Sequence, residues 1–124
     1  HNAGKKVRVL HIVENALSKA EQRLKVNPLV ILTRAIENAA PREEVIAIEY
    51  GGARYPKAVD ISPQRRIDLA LRNMTQGAYI KSFNKKQKIE DALAEELIAA
   101  YQVSAKSNAI AKKRDLERQS ASSK

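Results

Sequence analysis

The sequence predicts a mainly α-helical domain, about six helices in a compact bundle, with one two-stranded antiparallel β-hairpin protruding over roughly residues 44–61. Three observations lead there. Apolar residues recur at three- and four-residue steps over most of the chain, the period of helices with one buried face. Asn27-Pro28 and Ser62-Pro63 each place a capping side chain before a proline, whose fixed φ suits the first helical position. Only Val45–Tyr50 alternates β-branched residues between two faces, and it runs into Gly51-Gly52, which can supply the positive φ of a tight hairpin turn.

In chain order, a helix is expected from Lys5, with Val7, Leu10, Val13, Leu17, Ala20 and Leu24 as its apolar stripe and Lys5, Lys6 and Arg8 in its first turn. Positive charge at a helix start opposes the macrodipole, so an anion contact is the more economical reason for it. A second helix follows Asn27-Pro28, with Leu29, Leu32, Ile36 and Ala39 facing inward, and ends at Ala40-Pro41. The very short loop between the two makes them antiparallel neighbours. Arg42, Glu43 and Glu44 lead into the hairpin, whose return strand spans Ala53–Ile61. Pro56 cannot donate to a ladder and suits an edge. The base residues Val45, Ile46, Val59 and Ile61 should pack on the helices, while the tip, with Arg54, Tyr55 and Lys57, should project.

The helix begun by Ser62-Pro63 runs to about residue 80, with Ile67, Ala70, Leu71, Met74 and Ala78 inward and Arg65, Arg66 and Arg72 on its polar side. Gly77 weakens that helix but permits close approach of a neighbour. Ser82–Lys88 is a charged connector. Another helix begins near Gln87 on Ile89, Leu93, Leu97 and Tyr101, and Glu90, Asp91, Glu95 and Glu96 make it the acidic one. Val103–Ser107 is a loop, Asn108–Gln119 forms the last helix, and residues 120–124 should fray. Residues 1–124 thus read as a single domain; because the chain begins at His1, an upstream segment is expected to be missing.

The formal net charge is +9, with an excess of +3 up to Ser62 and +6 from Pro63 onward. Charge spread over both halves points to a polyanion touched by several faces. Cysteine is absent, which excludes disulfides and thiolate metal sites. That composition is compatible with a reducing, intracellular setting, and no apolar run approaches the ~20 residues of a membrane span.

Catalysis would need a nucleophile, a tuned acid or base, or a metal cluster. His1 and His11 both lie in the terminal segment, and the acidic pairs Glu43-Glu44 and Glu95-Glu96 read as caps and solvated faces. No metal or cofactor is expected, since no Asp/Glu/His spacing resembles a metal site. Gly51-Gly52 is a turn rather than a phosphate loop, since a strand follows it instead of a helix. The basic groups remain: a basic hairpin tip, an arginine pair at a helix start, and basic ends on two other helices. With aromatics limited near the tip to Tyr50 and Tyr55, recognition by shape and backbone is favoured over single-strand reading.

The runs NPLVILTRAIENAAPREEV, YGGARYPKAVDISPQRRIDLALR and IEDALAEELIAAY, with NAIAKKRDLER after them, resemble the family of small-subunit ribosomal protein seven, called protein five in eukaryotes, and its archaeal members most. The resemblance covers nearly the whole chain. It implies a non-enzymatic structural role and primary binding to the 3′ major domain of small-subunit ribosomal RNA, helping to nucleate the head. It also implies a place in the cytoplasmic small subunit among head and platform proteins, and a hairpin near the exit (E) site, transfer RNA and messenger RNA. Carried over by motif, the RNA contacts would be Lys5, Lys6, Arg8, Arg54, Lys57, Arg65, Arg66, Arg72, Lys112, Lys113 and Arg114. The E-site hairpin would be Tyr50, Gly51, Gly52, Ala53, Arg54 and Tyr55. The hairpin is less arginine-rich than in many members, and the closing RQSASSK is less basic than usual. Taken alone, the residues also fit an architectural DNA-binding protein with a basic β-ribbon arm.

Overall fold

The computed structural model describes residues 6–83 and 87–123. Along them run α1 (Lys6–Leu24), α2 (Pro28–Ala39), β1 (Glu43–Tyr50), β2 (Ala53–Asp60), α3 (Pro63–Ser82), α4 (Ile89–Tyr101) and α5 (Asn108–Ser122). The mainly helical fold with one hairpin is as expected, with five helices among the described residues where about six were anticipated. Among the described residues, no helix is long and apolar enough to cross a membrane.

Local chemistry sets the helix starts. Asn27 Oδ1 accepts from the Leu29 backbone N–H at 2.8 Å, with Pro28 opening α2. Ser62 caps α3 the same way, its Oγ accepting from Arg65 N–H, with Pro63 behind it. Each such cap is worth ~1 kcal/mol. α5 continues through Ser122, and Ser120 is buried.

The centre of the bundle is α4, which packs against α1, α2, α3 and α5. Its surroundings explain two corrections. The Glu95-Glu96 pair does not share one solvated face: Glu95 is exposed, whereas Glu96 is 0 % exposed. A helix covered on several sides has no continuous wet face, so a polar residue on it must find internal partners. Secondly, the buried rows are richer in alanine than the expected stripes. In α1 the buried residues are Ile12, Ala16 and Ala20, and in α2 Ile31, Ala35 and Ala39. Val7 (68 % exposed), Leu10, Val13 and Leu29 face outward instead. Ile67 and Leu71 of α3 are also exposed, while Ala70, Met74, Gly77 and Ala78 are buried. Small side chains occupy the positions where neighbours come closest, and the bulkier ones flank them. The large apolar anchors of this core are Ile31, Met74 and Ile110, each worth ~1.5–3 kcal/mol on burial.

Gly77 is where close approach is most demanding: a Cβ there would lie 2.6 Å from Asn108 Cβ and 3.0 Å from Glu96 Cδ. In the space this leaves, Glu96 Oε1 accepts from Ser107 Oγ at 2.9 Å and from the Ala109 N–H at 3.2 Å, and Lys81 Nζ donates to Oε2 at 3.1 Å. One buried carboxylate therefore joins α3, α4 and the start of α5. On the far side of α4, Lys19 of α1 pairs with Asp91.

The hairpin pairs Glu43 with Asp60 at its base and Tyr50 with Ala53 at its tip. Gly51 (φ 58°) and Gly52 (φ 85°) both take left-handed conformations, as a two-residue turn of the right twist requires. The base packs on α5. Ile61 is buried there and Val45 and Val59 half-buried, but Ile46 is 41 % exposed. The expectation that Ile46 would pack fails because its cross-strand partner is Lys57, already on the free part of the arm.

Candidate nucleic-acid interface

The basic residues fall into three zones. On α1, Lys6 and Arg8 lie in the opening turns and are exposed; Lys5 lies outside the described residues. On the arm, Lys57 is exposed, Tyr55 is 56 % exposed, and Ala53 and both glycines are open to solvent. Arg54 Nε meets Glu49 Oε1 at 3.2 Å across the register, with side chains 75 % and 70 % exposed. So exposed a pair contributes well under ~1 kcal/mol, which leaves Arg54 available to a phosphate.

The third zone, where the arm meets the body, brings together residues distant in sequence. Arg65 clasps Glu44 of β1 with two parallel bonds, Nε–Oε1 at 3.0 Å and Nη2–Oε2 at 2.9 Å. This hydrogen bonding to Glu44, with its charge, raises the Arg65 pKa further. Arg66 Nε donates to the Pro41 carbonyl at 3.2 Å. The pair at the start of α3 thus braces the hairpin base and the preceding loop together. Arg72 lies further along α3, exposed.

Three consecutive cations of α5 diverge, as ~100° per residue requires. Lys112 Nζ reaches Gln76 Oε1 of α3 at 2.8 Å, Lys113 Nζ the Asn38 carbonyl of α2 at 2.9 Å, and Arg114 Nη2 the Val103 carbonyl after α4 at 3.4 Å. Val103 itself closes α4 at φ 54°. Burial pushes the Lys113 pKa below the ordinary lysine range; Glu117 opposes this, and Arg42, Arg66 and Arg114 reinforce it. Between α3 and α5 runs an open groove of about 340 Å³, lined by Arg65, Lys112 and Lys113 and by Glu44, Asn73 and Asp115.

Sequence reasoning passed over Arg42. It entered only with Glu43 and Glu44, as the lead-in to the hairpin. In the fold Glu44 is taken by Arg65, and the Arg42 guanidinium has no hydrogen-bond or ion-pair partner among the described residues. The described residues hold no group of three or more metal-ligating side chains.

An array of exposed and anchored cations is suited to gripping phosphates. Small ribosomal subunit protein uS7 of Nanoarchaeum equitans is 55 % identical over 118 residues, 95 % of this chain and 60 % of that one. The corresponding proteins of Archaeoglobus fulgidus and Picrophilus torridus are 48 % and 47 % identical, over 95 % and 98 % of this chain and 61 % and 65 % of theirs. The chain thus spans somewhat under two thirds of the length of these curated relatives. The sequence pattern of the ribosomal protein S7p/S5e family matches residues 1–124, and the chain belongs to that family.

Proposed function

We propose that this chain is a structural, non-catalytic constituent of the cytoplasmic small ribosomal subunit. It binds the 3′ major domain of the small-subunit RNA directly and early, helps nucleate the head, and sits among head and platform proteins. Its hairpin reaches toward the exit site, beside transfer and messenger RNA. The observation that carries this reading is family membership over the full chain, joined to the division of the cations into two kinds. Arg65, Arg66, Lys112, Lys113 and Arg114 are anchored to protein acceptors, so their remaining donors present a rigid basic surface. Lys6, Arg8, Lys57 and Arg72 extend into solvent on α1, the arm and α3. Phosphates neutralised by these groups release counterions, so affinity falls steeply with salt.

Footprinting on small-subunit RNA, with duplex DNA as competitor, tests the assignment. Protection should fall in a multi-helix junction of the 3′ major domain, and duplex DNA should bind only non-specifically. Equal affinity for both at physiological salt would defeat it in favour of the DNA-binding alternative. Replacing Glu49–Arg54 by Asn-Gly, which joins the paired residues Ile48 and Tyr55, tests the arm separately. The variant should fold and bind the RNA but lower reading-frame accuracy in reconstituted ribosomes; unchanged accuracy would remove the exit-site role.

A further inference from the structure

We propose that Arg42, Arg66 and Lys113 form one phosphate-binding site, whose occupant holds the end of α2 and the hairpin base against α5. The site rests on the RNA-binding role proposed above and gives it a defined ligand position and a structural consequence.

Three separate elements deliver these cations: the loop before β1, the start of α3, and α5. Two of them converge on one short stretch of backbone. Lys113 reaches the Asn38 carbonyl in the last turn of α2, and Arg66 reaches that of Pro41, the residue next to Arg42. These carbonyls lie at the negative end of the α2 dipole, which holds the cations without cancelling their charge. Arg42 projects from the same stretch with no partner among the described residues, and Arg114 bears on Lys113 from the next position of α5. Of the nearby carboxylates, Glu117 acts on Lys113, while Glu44, already held by Arg65, and Asp115 line the adjoining groove.

Like charges gathered on a partly buried ammonium are unfavourable until an anion joins them. The donors also suit one kind of anion. A guanidinium offers five N–H groups and an ammonium three, and the carbonyl bonds of Arg66 and Lys113 use one donor each. Many donors from several directions match the clustered oxygens of a phosphate. The backbone explains why occupancy would tighten the base of the arm. The Ile61 N–H, just after β2, donates to the Arg42 carbonyl at 3.0 Å, and the Ala40 N–H closes α2 on Ile36 at 2.9 Å. A phosphate drawing Arg42 toward Arg66 and Lys113 pulls on both bonds' residues at once.

The ligand's two sources, an RNA phosphodiester and free inorganic phosphate, separate in one experiment. Hydrogen exchange at the Ala40 and Ile61 amides is followed with millimolar phosphate and with the 3′ major domain RNA fragment, for the unaltered chain, Arg42→Gln, Arg42→Lys and Arg54→Gln. RNA should slow exchange at both amides. Arg42→Gln should lose that added protection, weaken RNA binding about tenfold, and lower the salt slope by about one. Arg42→Lys should keep the slope. Arg54→Gln should weaken binding while retaining the protection. An RNA complex without added protection, or Arg42→Gln with unchanged affinity and slope, overturns the site and leaves the RNA-binding role standing. Protection by inorganic phosphate but not by RNA assigns the site to a free anion and overturns it likewise. Failure of the unaltered chain to bind the RNA ends both.

Discussion

The buried knot around Glu96 and the exposed arm around Arg54 treat the same chemistry in opposite ways. Each contains an acid–base pair of similar length, 3.1 Å for Lys81–Glu96 and 3.2 Å for Arg54–Glu49. Glu96 is fully buried, and its oxygens also take the Ser107 hydroxyl and the Ala109 N–H. Glu49 and Arg54 stand in solvent at the end of two strands. In the body, charge organises packing, so its removal should appear as lost stability. On the arm, charge does almost nothing for the fold, so its presence points to an external partner.

The largest effect should come from Glu96→Ala. It removes two capping interactions from the start of α5 and empties a fully buried site, while Lys81 keeps the Lys106 carbonyl at 3.3 Å; lost buried hydrogen bonds and the cavity together cost ~2–4 kcal/mol. Chemical denaturation measures it, and a loss under ~1 kcal/mol would show that water replaces the carboxylate easily. Gly77→Ala comes next. In an open helix it would gain ~1 kcal/mol, but the 2.6 Å approach to Asn108 Cβ should convert that gain into a net loss of ~1–3 kcal/mol through overpacking. A stabilised variant would mean that α3 and α5 separate without penalty.

A smaller effect should follow pH. Lys113 has its pKa lowered by burial from the ordinary 10.5. Between the lowered folded value and 10.5 the unfolded chain holds more protons than the folded one, so this group's contribution to stability rises with pH through that alkaline window. Lys113→Met should remove the rise, seen as a flatter stability profile relative to the unaltered chain; identical profiles would place Lys113 in ordinary solvent. The smallest change belongs to Arg54→Ala, whose exposed pair should alter stability by less than ~0.5 kcal/mol while reducing RNA affinity. A melting shift of several degrees would place Arg54 with the body rather than the arm.

Much of this could be read from local chemistry. The Asn27-Pro28 and Ser62-Pro63 starts, the Gly51-Gly52 turn and the approach at Gly77 each depend on a few adjacent residues or on the space one missing Cβ leaves. The stripe of α1 was less legible. Periodicity ranks Val7 and Leu10 with Ala20, yet only a neighbour's position decides which row is covered, and the alanines have it. Among the site residues, the anchoring of Arg65, Arg66 and Lys113 needed the fold, because their acceptors lie 21, 25 and 75 positions away.

The sequence by itself determined a basic, cysteine-free, mainly helical chain with one hairpin, and through its ordered motifs the family to which it belongs. Those properties rest on composition and on contacts between near neighbours. Tertiary structure alone decided that Glu96 is a buried cap rather than a surface charge, that Glu44 belongs to Arg65, and that Arg42 is left with its fork open beside Lys113. The environment of a charge is set by whatever the fold packs around it, and for these groups the deciding neighbours come from other elements.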